Sequence, residues 1–203
     1  MFLTGFVFGV LVAAQIGPVS LLIVRTVLRG GRLVGLAMAL AVALVDLLYA
    51  AVGLAGIGHA LSGGSVRLAF GFASGAILIF IGMRTSWTGF RARIGLEGEV
   101  IEPRRAFVTA VAATALNPLT IALWTISFPA AAPKSASESV ANAVVLLAGV
   151  GLGSLTWYTA FTSVIAAVRH RLGNSIVRAV DVVSGLALAG FGAFVAVRAL
   201  RES

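Results

Sequence analysis

Residues 10–24 read VLVAAQIGPVSLLIV, an apolar run that is interrupted at its centre by Gly17 and Pro18. A proline inside a helix removes a backbone donor, and its ring clashes with the preceding turn. We therefore expect a helix that breaks in the middle of an apolar segment. Within the hydrocarbon region of a membrane, such a break is tolerated only where the backbone is buried in protein or lines a water-filled cavity.

The rest of the chain is as apolar as this stretch. Of its 203 residues, 60% are hydrophobic and 11% are charged, and the mean hydropathy is +1.07. Soluble domains contain about 45–50% apolar and about 25% charged residues. The composition predicts an all-α integral membrane protein and excludes a large soluble domain.

The apolar residues form six blocks of transmembrane length. The blocks lie at about 3–28, 34–58, 67–86, 106–128, 140–168 and 176–198. The sequence predicts one transmembrane domain over residues 1–203, with a first repeat at about 1–86, a cytoplasmic loop at about 87–105 and a second repeat at about 106–200. A version with five spans and one re-entrant block stays open.

The basic residues predict the orientation. Eleven of the fifteen Lys and Arg residues lie at the first, third and fifth joints between blocks. Because cytoplasmic loops carry an excess of Lys and Arg, both termini are predicted outside, in a multi-pass protein of the cell inner membrane. The basic residues behind the net charge of +8 are spread between the apolar blocks and do not form one basic face, which argues against a nucleic-acid partner. The expected surroundings of the chain are the lipid bilayer.

The two halves of the chain resemble each other. Residues 17–21, GPVSL, match residues 117–121, NPLTI, exactly 100 positions later. Ser74-Gly75 followed by Gly82 similarly matches Ser184-Gly185 followed by Gly192. Three spans in each half make the repeats inverted, and matching interrupted helices typically flank a central substrate site. Helices 1 and 4 are thus predicted to break at Gly17-Pro18 and Asn117-Pro118.

Polar side chains lie beside both predicted breaks. Together with the break residues they form the predicted substrate path: Gln15, Gly17, Pro18, Ser20, Thr114, Asn117, Pro118 and Thr120. Four aromatic residues within the blocks either wall this path or pack: Tyr49, Trp124, Trp157 and Tyr158. We include Tyr49 in the path.

Two carboxylates lie within apolar blocks. Asp46 is in the middle of the second block, and an aspartate near the bilayer centre costs about 2.5–3.5 kcal/mol. Such a residue typically serves a proton, an ion or a substrate, although a structural bond to a hydroxyl or a buried arginine is the alternative. Asp181, early in the sixth block, is a second ionisable candidate, or it pairs with Arg178 on the same helix face.

Other chemistry is not indicated. The chain has no cysteine, no close His cluster, no nucleophile elbow and no phosphate-binding loop. We therefore predict no enzyme activity, no metal site and no cofactor, and transport would draw on an ion gradient. The small-residue spacings Gly5…Gly9, Gly71…Gly75 and Gly149…Gly153 predict close approach of helices.

These residues resemble the LysE/RhtB-type amino-acid exporters over about residues 1–200. The resemblance rests on residues 15–19 (QIGPV), residues 29–36 (RGGRLVGL), Asp46, residues 115–118 (ALNP) and the Gly75…Gly82 and Gly185…Gly192 spacings. It implies an exporter of amino acids driven by the proton-motive force, with both breaks and Asp46 near the transport path. Val45 precedes Asp46 where the family often has glycine, which leaves the substrate open.

The leading hypothesis is export of a small amino acid or related metabolite by proton antiport. A metal cation or another small solute on the same scaffold is the first alternative. A non-transport membrane assembly or sensor protein is the second. The sequence leaves open which amino acid is carried, whether H⁺ or Na⁺ is coupled, and whether the chain forms a homo-oligomer.

Overall fold

The computed structural model describes residues 1–15, 17–55, 101–136 and 138–172, together with part of the stretch 175–197. Every regular element in these residues is a helix. The third apolar block, residues 87–100 and Asp181 lie outside the described residues, as do both glycine pairs of the second repeat match. Only scattered residues of the sixth block are described.

The first apolar block forms two helices, α1 (Phe2–Ala13) and α2 (Pro18–Gly30), which meet at an angle of 77°. Pro18 is the first residue of α2, where its missing N–H is tolerated because the first amides of a helix have no intrahelical partner. Gly17 is the extended residue that precedes it. The predicted break at Gly17-Pro18 is confirmed.

The second block forms α3 (Arg32–Leu54), a continuous helix of 23 residues. It begins after Gly31, whose φ of +79° belongs to the region that favours glycine. At 1.5 Å per residue α3 is about 35 Å long, enough to cross the hydrocarbon core of a bilayer. α3 starts two residues before the predicted block.

The fourth block is interrupted as predicted. Its parts are α4 (Pro103–Ala115), α5 (Pro118–Ala122), a π-helical turn (Leu123–Ser127) and α6 (Phe128–Ala131). α4 and the segment Leu119–Ala131 meet at 63°. The break at Asn117-Pro118 is confirmed.

The bounds of this block differ from the prediction at both ends. α4 begins at Pro103, inside the predicted loop at 87–105, because the fixed φ of proline suits the first position of a helix. At the other end the helix passes Pro129, which has no N–H for the carbonyl of Thr125. The π-helical turn ends two residues before that proline, and α6 continues to Ala131.

The fifth block forms α7 (Val140–Val168), with the predicted bounds. Ser139 caps its N-terminus, since its Oγ accepts a hydrogen bond of 3.2 Å from the amide of Asn142. A short 3₁₀ helix (Lys134–Ala136) precedes α7, and another (Arg169–Arg171) follows it.

A seam of four glycines joins α1 to α7. A Cβ added at Gly5, Gly9, Gly149 or Gly153 would overlap a backbone carbonyl oxygen of the opposite helix. The oxygens are those of Leu146, Val150, Phe2 and Phe6, respectively. The predicted close approach is confirmed for these two spacings, while Gly71…Gly75 lies outside the described residues.

Among the described residues, α3 and α7 are each long and apolar enough to cross a membrane. The count rises to four if each bent pair is one span. This architecture is that of a multi-pass helical membrane protein. α3 packs against α2, α4 and α7, so it lies beside both interrupted segments.

Candidate functional site

A cavity of about 40 Å³ lies where the two helix breaks meet α3 and α7. Seven of the ten predicted path residues outside Asp181 line it: Gln15, Gly17, Ser20, Asp46, Thr114, Asn117 and Thr120. On this measure a water molecule needs about 10–15 Å³. The cavity therefore has room for a few waters, and a whole amino acid would enter only if its walls separated.

The wall of the cavity is polar on one part and aliphatic on another. Besides the seven polar or break residues, Tyr158 of α7 faces it, and the aliphatic part consists of Val12, Val19, Val42, Leu119 and Leu123. Gln15 and Leu119 are exposed, whereas Asp46, Thr114 and Asn117 are buried. The cavity thus extends from an exposed rim to a buried polar floor.

Asp46 is held by two neutral donors. It is 3% exposed, and its Oδ1 accepts a hydrogen bond of 2.8 Å from Nε1 of Trp124. Its Oδ2 accepts a hydrogen bond of 2.6 Å from Oγ of Ser154. Among the described residues that line the cavity there is no Lys, Arg or His, so the carboxyl group has only uncharged neighbours there. Of the two predicted structural alternatives, the bond to a hydroxyl is present.

At each helix break, a side-chain hydroxyl donates a hydrogen bond to a backbone carbonyl that the interruption leaves without a partner in its own helix. Ser20 donates through Oγ to the carbonyl oxygen of Gln15 at 3.1 Å. Tyr49 lies outside the cavity lining, and its hydroxyl donates to the carbonyl oxygen of Ala115. Residues 15 and 115 are 100 positions apart, so the breaks are stabilised in the same way at matching places.

The helices that follow the breaks begin differently. At the start of α5, Oδ1 of Asn117 accepts a hydrogen bond of 3.2 Å from the amide of Leu119. At the start of α2, Gly17 supplies no side-chain cap. Apart from Gly17 and its two chain neighbours, no described residue has a heavy atom within 4 Å of the position that a Cβ on Gly17 would take.

Thr114 is the described residue whose hydroxyl is buried without a hydrogen-bond partner among the described residues. Its side chain is 1% exposed and lines the cavity. Buried polar groups in native proteins are nearly always paired, so an unpaired hydroxyl at a cavity wall is a place where a ligand can bond.

The remaining predicted residues lie elsewhere. Pro18 is buried as the first residue of α2, and Pro118 is the first residue of α5. Pro18 is not among the residues that line the cavity. Trp157 packs, with its ring stacked on Phe161 at a centroid distance of 6.5 Å.

Sequence reasoning missed Ser154. A signal was present, because Ser154, Tyr158 and Thr162 recur every four residues and so lie on one face of α7. All three are buried in the structure. Trp124 was predicted to wall the path or to pack. Its ring packs edge-on against Phe128, and its indole N–H in addition donates to Asp46.

The model of the LysE type translocator family matches residues 10–199. The chain belongs to this family. The match spans both helix breaks, Asp46 and the whole cavity lining. Searches of curated proteins and of solved structures found no match to the chain.

Membership in the LysE type translocator family assigns the chain to the membrane transport of small solutes. The resemblance drawn from the sequence is thereby confirmed at the level of the family. Members of the family are transporters and not enzymes, which accords with the prediction of no enzyme activity. The multi-pass helical architecture is that of a membrane protein.

Proposed function

We propose that this LysE type translocator exports a small amino acid or a related metabolite in exchange for protons. The observation that carries the proposal is the convergence of two broken helices and one buried carboxyl group on a single cavity. Interrupted helices of this kind offer unpaired backbone donors and carbonyls to a substrate at membrane depth.

The character of the cavity wall supports an amphipathic solute. Asp46, Asn117 and Thr114 supply a carboxyl group, an amide and a hydroxyl on the buried floor. The aliphatic side chains face the same space. A small α-amino acid, with one charged end and a short side chain, fits this division.

Asp46 is the proposed site of exchange. Its two bonding partners are neutral. A buried negative charge without a cationic partner is costly, so the Asp46 carboxylate needs either a proton or the substrate ammonium group. One carboxyl group cannot hold both at the same time. Competition between the two cations for Asp46 would couple substrate export to proton entry.

The proposed transport cycle needs a change of shape. The cavity of about 40 Å³ is far smaller than the roughly 300–1,000 Å³ of ordinary ligand pockets. We propose six spans arranged as two inverted halves in the inner membrane, with both termini outside. In this arrangement the cavity opens alternately to either side.

Transport by reconstituted protein tests the proposal. The purified chain would be placed in liposomes under an imposed pH difference and offered a panel of radiolabelled amino acids. Asp46→Asn is the test variant, and Glu138→Gln, which neutralises an exposed carboxylate outside the cavity, is the control.

We expect gradient-dependent accumulation of one class of amino acid by the wild type and by Glu138→Gln, and its loss in Asp46→Asn. No accumulation of any amino acid by folded wild-type protein would overturn the proposal. Divalent cations and other small solutes would then be offered under the same gradient.

A further inference from the structure

We propose that the substrate carboxylate binds at the N-terminus of α2, on the side of Gly17 that no described residue fills, with the hydroxyl of Thr114 as its side-chain donor. This inference rests on the proposed function and makes it specific, because it assigns unequal roles to the two helix breaks. It defines the substrate class as solutes that carry a free carboxylate.

The start of α2 is suited to an anion. α2 has 13 residues, so its aligned peptide dipoles give a partial positive charge at Val19 and the amides that follow. No described side chain caps this end, and its first turn contains no acidic residue. A carboxylate in front of these amides takes the place that a capping side chain takes elsewhere.

The second break does not offer the same place. α5 has five residues, and Oδ1 of Asn117 already accepts the amide of Leu119. The sequence treats the two breaks as equivalent, whereas the structure shows that the second supplies its own cap.

Gly17 leaves space that no described residue fills. Its φ of −145° and ψ of −173° are extended values that any residue adopts, so the backbone does not require glycine there. The described packing does not require it either, since an added Cβ meets no atom within 4 Å of any described residue beyond the two chain neighbours of Gly17. Among described residues the opposite holds at Gly9, where a Cβ would overlap the carbonyl oxygen of Val150. Glycine at position 17 allows a ligand to approach the backbone closely.

Thr114 gives the second, independent indication of a ligand. Its hydroxyl is buried and lacks a partner among the described residues, and Thr114 lines the same cavity as Gly17. The other buried threonine hydroxyls with assigned bonds, those of Thr26, Thr125 and Thr162, donate to carbonyls of their own helices. A carboxylate oxygen would give Thr114 the acceptor that it lacks.

Two substitutions and one competitor test the inference in the reconstituted full chain. Gly17→Ala fills the space beside the α2 N-terminus, and Thr114→Val removes the hydroxyl at constant shape. The matched controls are Gly190→Ala, at an exposed glycine whose added Cβ meets no described atom within 4 Å, and Thr26→Val, whose hydroxyl bonds to Leu22 away from the cavity. The competitor is the carboxamide of whichever amino acid the wild type transports.

We expect Gly17→Ala to unfold at the wild-type temperature and to raise KM by about tenfold or more, the effect of losing a charge-assisted hydrogen bond. Thr114→Val should unfold at the same or a higher temperature, because an unpaired buried hydroxyl is removed, and should also raise KM. Both controls should keep the wild-type KM. The carboxamide should not compete with the acid.

Wild-type KM values in both Gly17→Ala and Thr114→Val would overturn the inference, as would a carboxamide that competes as well as the acid. The competition needs no variant, so it decides the question even if a substitution prevents folding. If the wild type itself transports no amino acid, the proposed function has failed, and the inference fails with it. Transport by the wild type with unaffected variants is a failure of the inference alone.

Discussion

Replacing Asp46 by asparagine or by alanine should separate its role in the fold from its role in exchange. The carboxyl group accepts one hydrogen bond from Trp124 and one from Ser154, and Ser154 is fully buried. In Asp46→Ala both donors lose their acceptor. At about 1–3 kcal/mol for each buried group left unpaired, the free energy of unfolding should fall by about 2–6 kcal/mol.

Asparagine can keep both bonds. Its carbonyl oxygen can accept from the indole of Trp124, and its amide can donate to the oxygen of Ser154. We therefore expect Asp46→Asn to stay within about 1 kcal/mol of the wild type. Asparagine can neither take up a proton nor offer a negative charge to the substrate ammonium group. We therefore expect the variant to lose both gradient-driven accumulation and substrate counterflow.

Unfolding of the detergent-solubilised variants and transport in liposomes measure the two effects separately. An Asp46→Asn variant as unstable as Asp46→Ala would refute the hydrogen-bond reasoning. Normal accumulation in Asp46→Asn would refute the role of Asp46 in coupling. Counterflow that survives while accumulation is lost would show that Asp46 holds the proton and not the substrate.

Four further outcomes follow from the described contacts. Gly9→Ala should lower the free energy of unfolding in detergent by about 1–3 kcal/mol, because its Cβ overlaps the opposite helix, and an unchanged value would contradict the seam. Tyr49→Phe should lower it by about 1 kcal/mol by leaving the Ala115 carbonyl without its hydroxyl donor; equal melting curves would show that this bond is unimportant. Ser154→Ala should cost about 1–3 kcal/mol in the same assay and slow gradient-driven uptake, and a fully active, equally stable variant would contradict the assigned contact. In liposomes, reversing the imposed pH difference should reverse the direction of net substrate movement, and a direction independent of the gradient would exclude proton antiport.

Both helix breaks could be predicted from the sequence because proline acts through its own ring and its missing N–H. These effects of Pro18 and Pro118 reach only the adjacent turn of the chain, so the sequence around each proline is sufficient to predict the break. The bounds of α7 could be predicted for a similar reason, since an apolar run begins directly after the capping residue Ser139. Local chemistry was sufficient in these places.

The partners of Asp46 could not be predicted in this way. Trp124 and Ser154 are 78 and 108 residues away along the chain, and helix packing alone brings them to the carboxyl group. The difference between the two breaks was hidden for a related reason. Asn117 and Gly17 occupy matching positions, and only the structure shows that one caps its helix while the other leaves space.

The glycine seam restricts how the cavity can open. It joins α1, from the first half of the chain, to α7, from the second half, by direct contact between backbones. Sliding one helix along the other by a single residue would drive side chains into carbonyl groups, so we expect the two helices to move as one rigid body. The halves then cannot simply tilt apart along this contact. Among the described elements, we expect the motion to fall on α2 and on the segment from α5 to α6, which follow the two helix breaks.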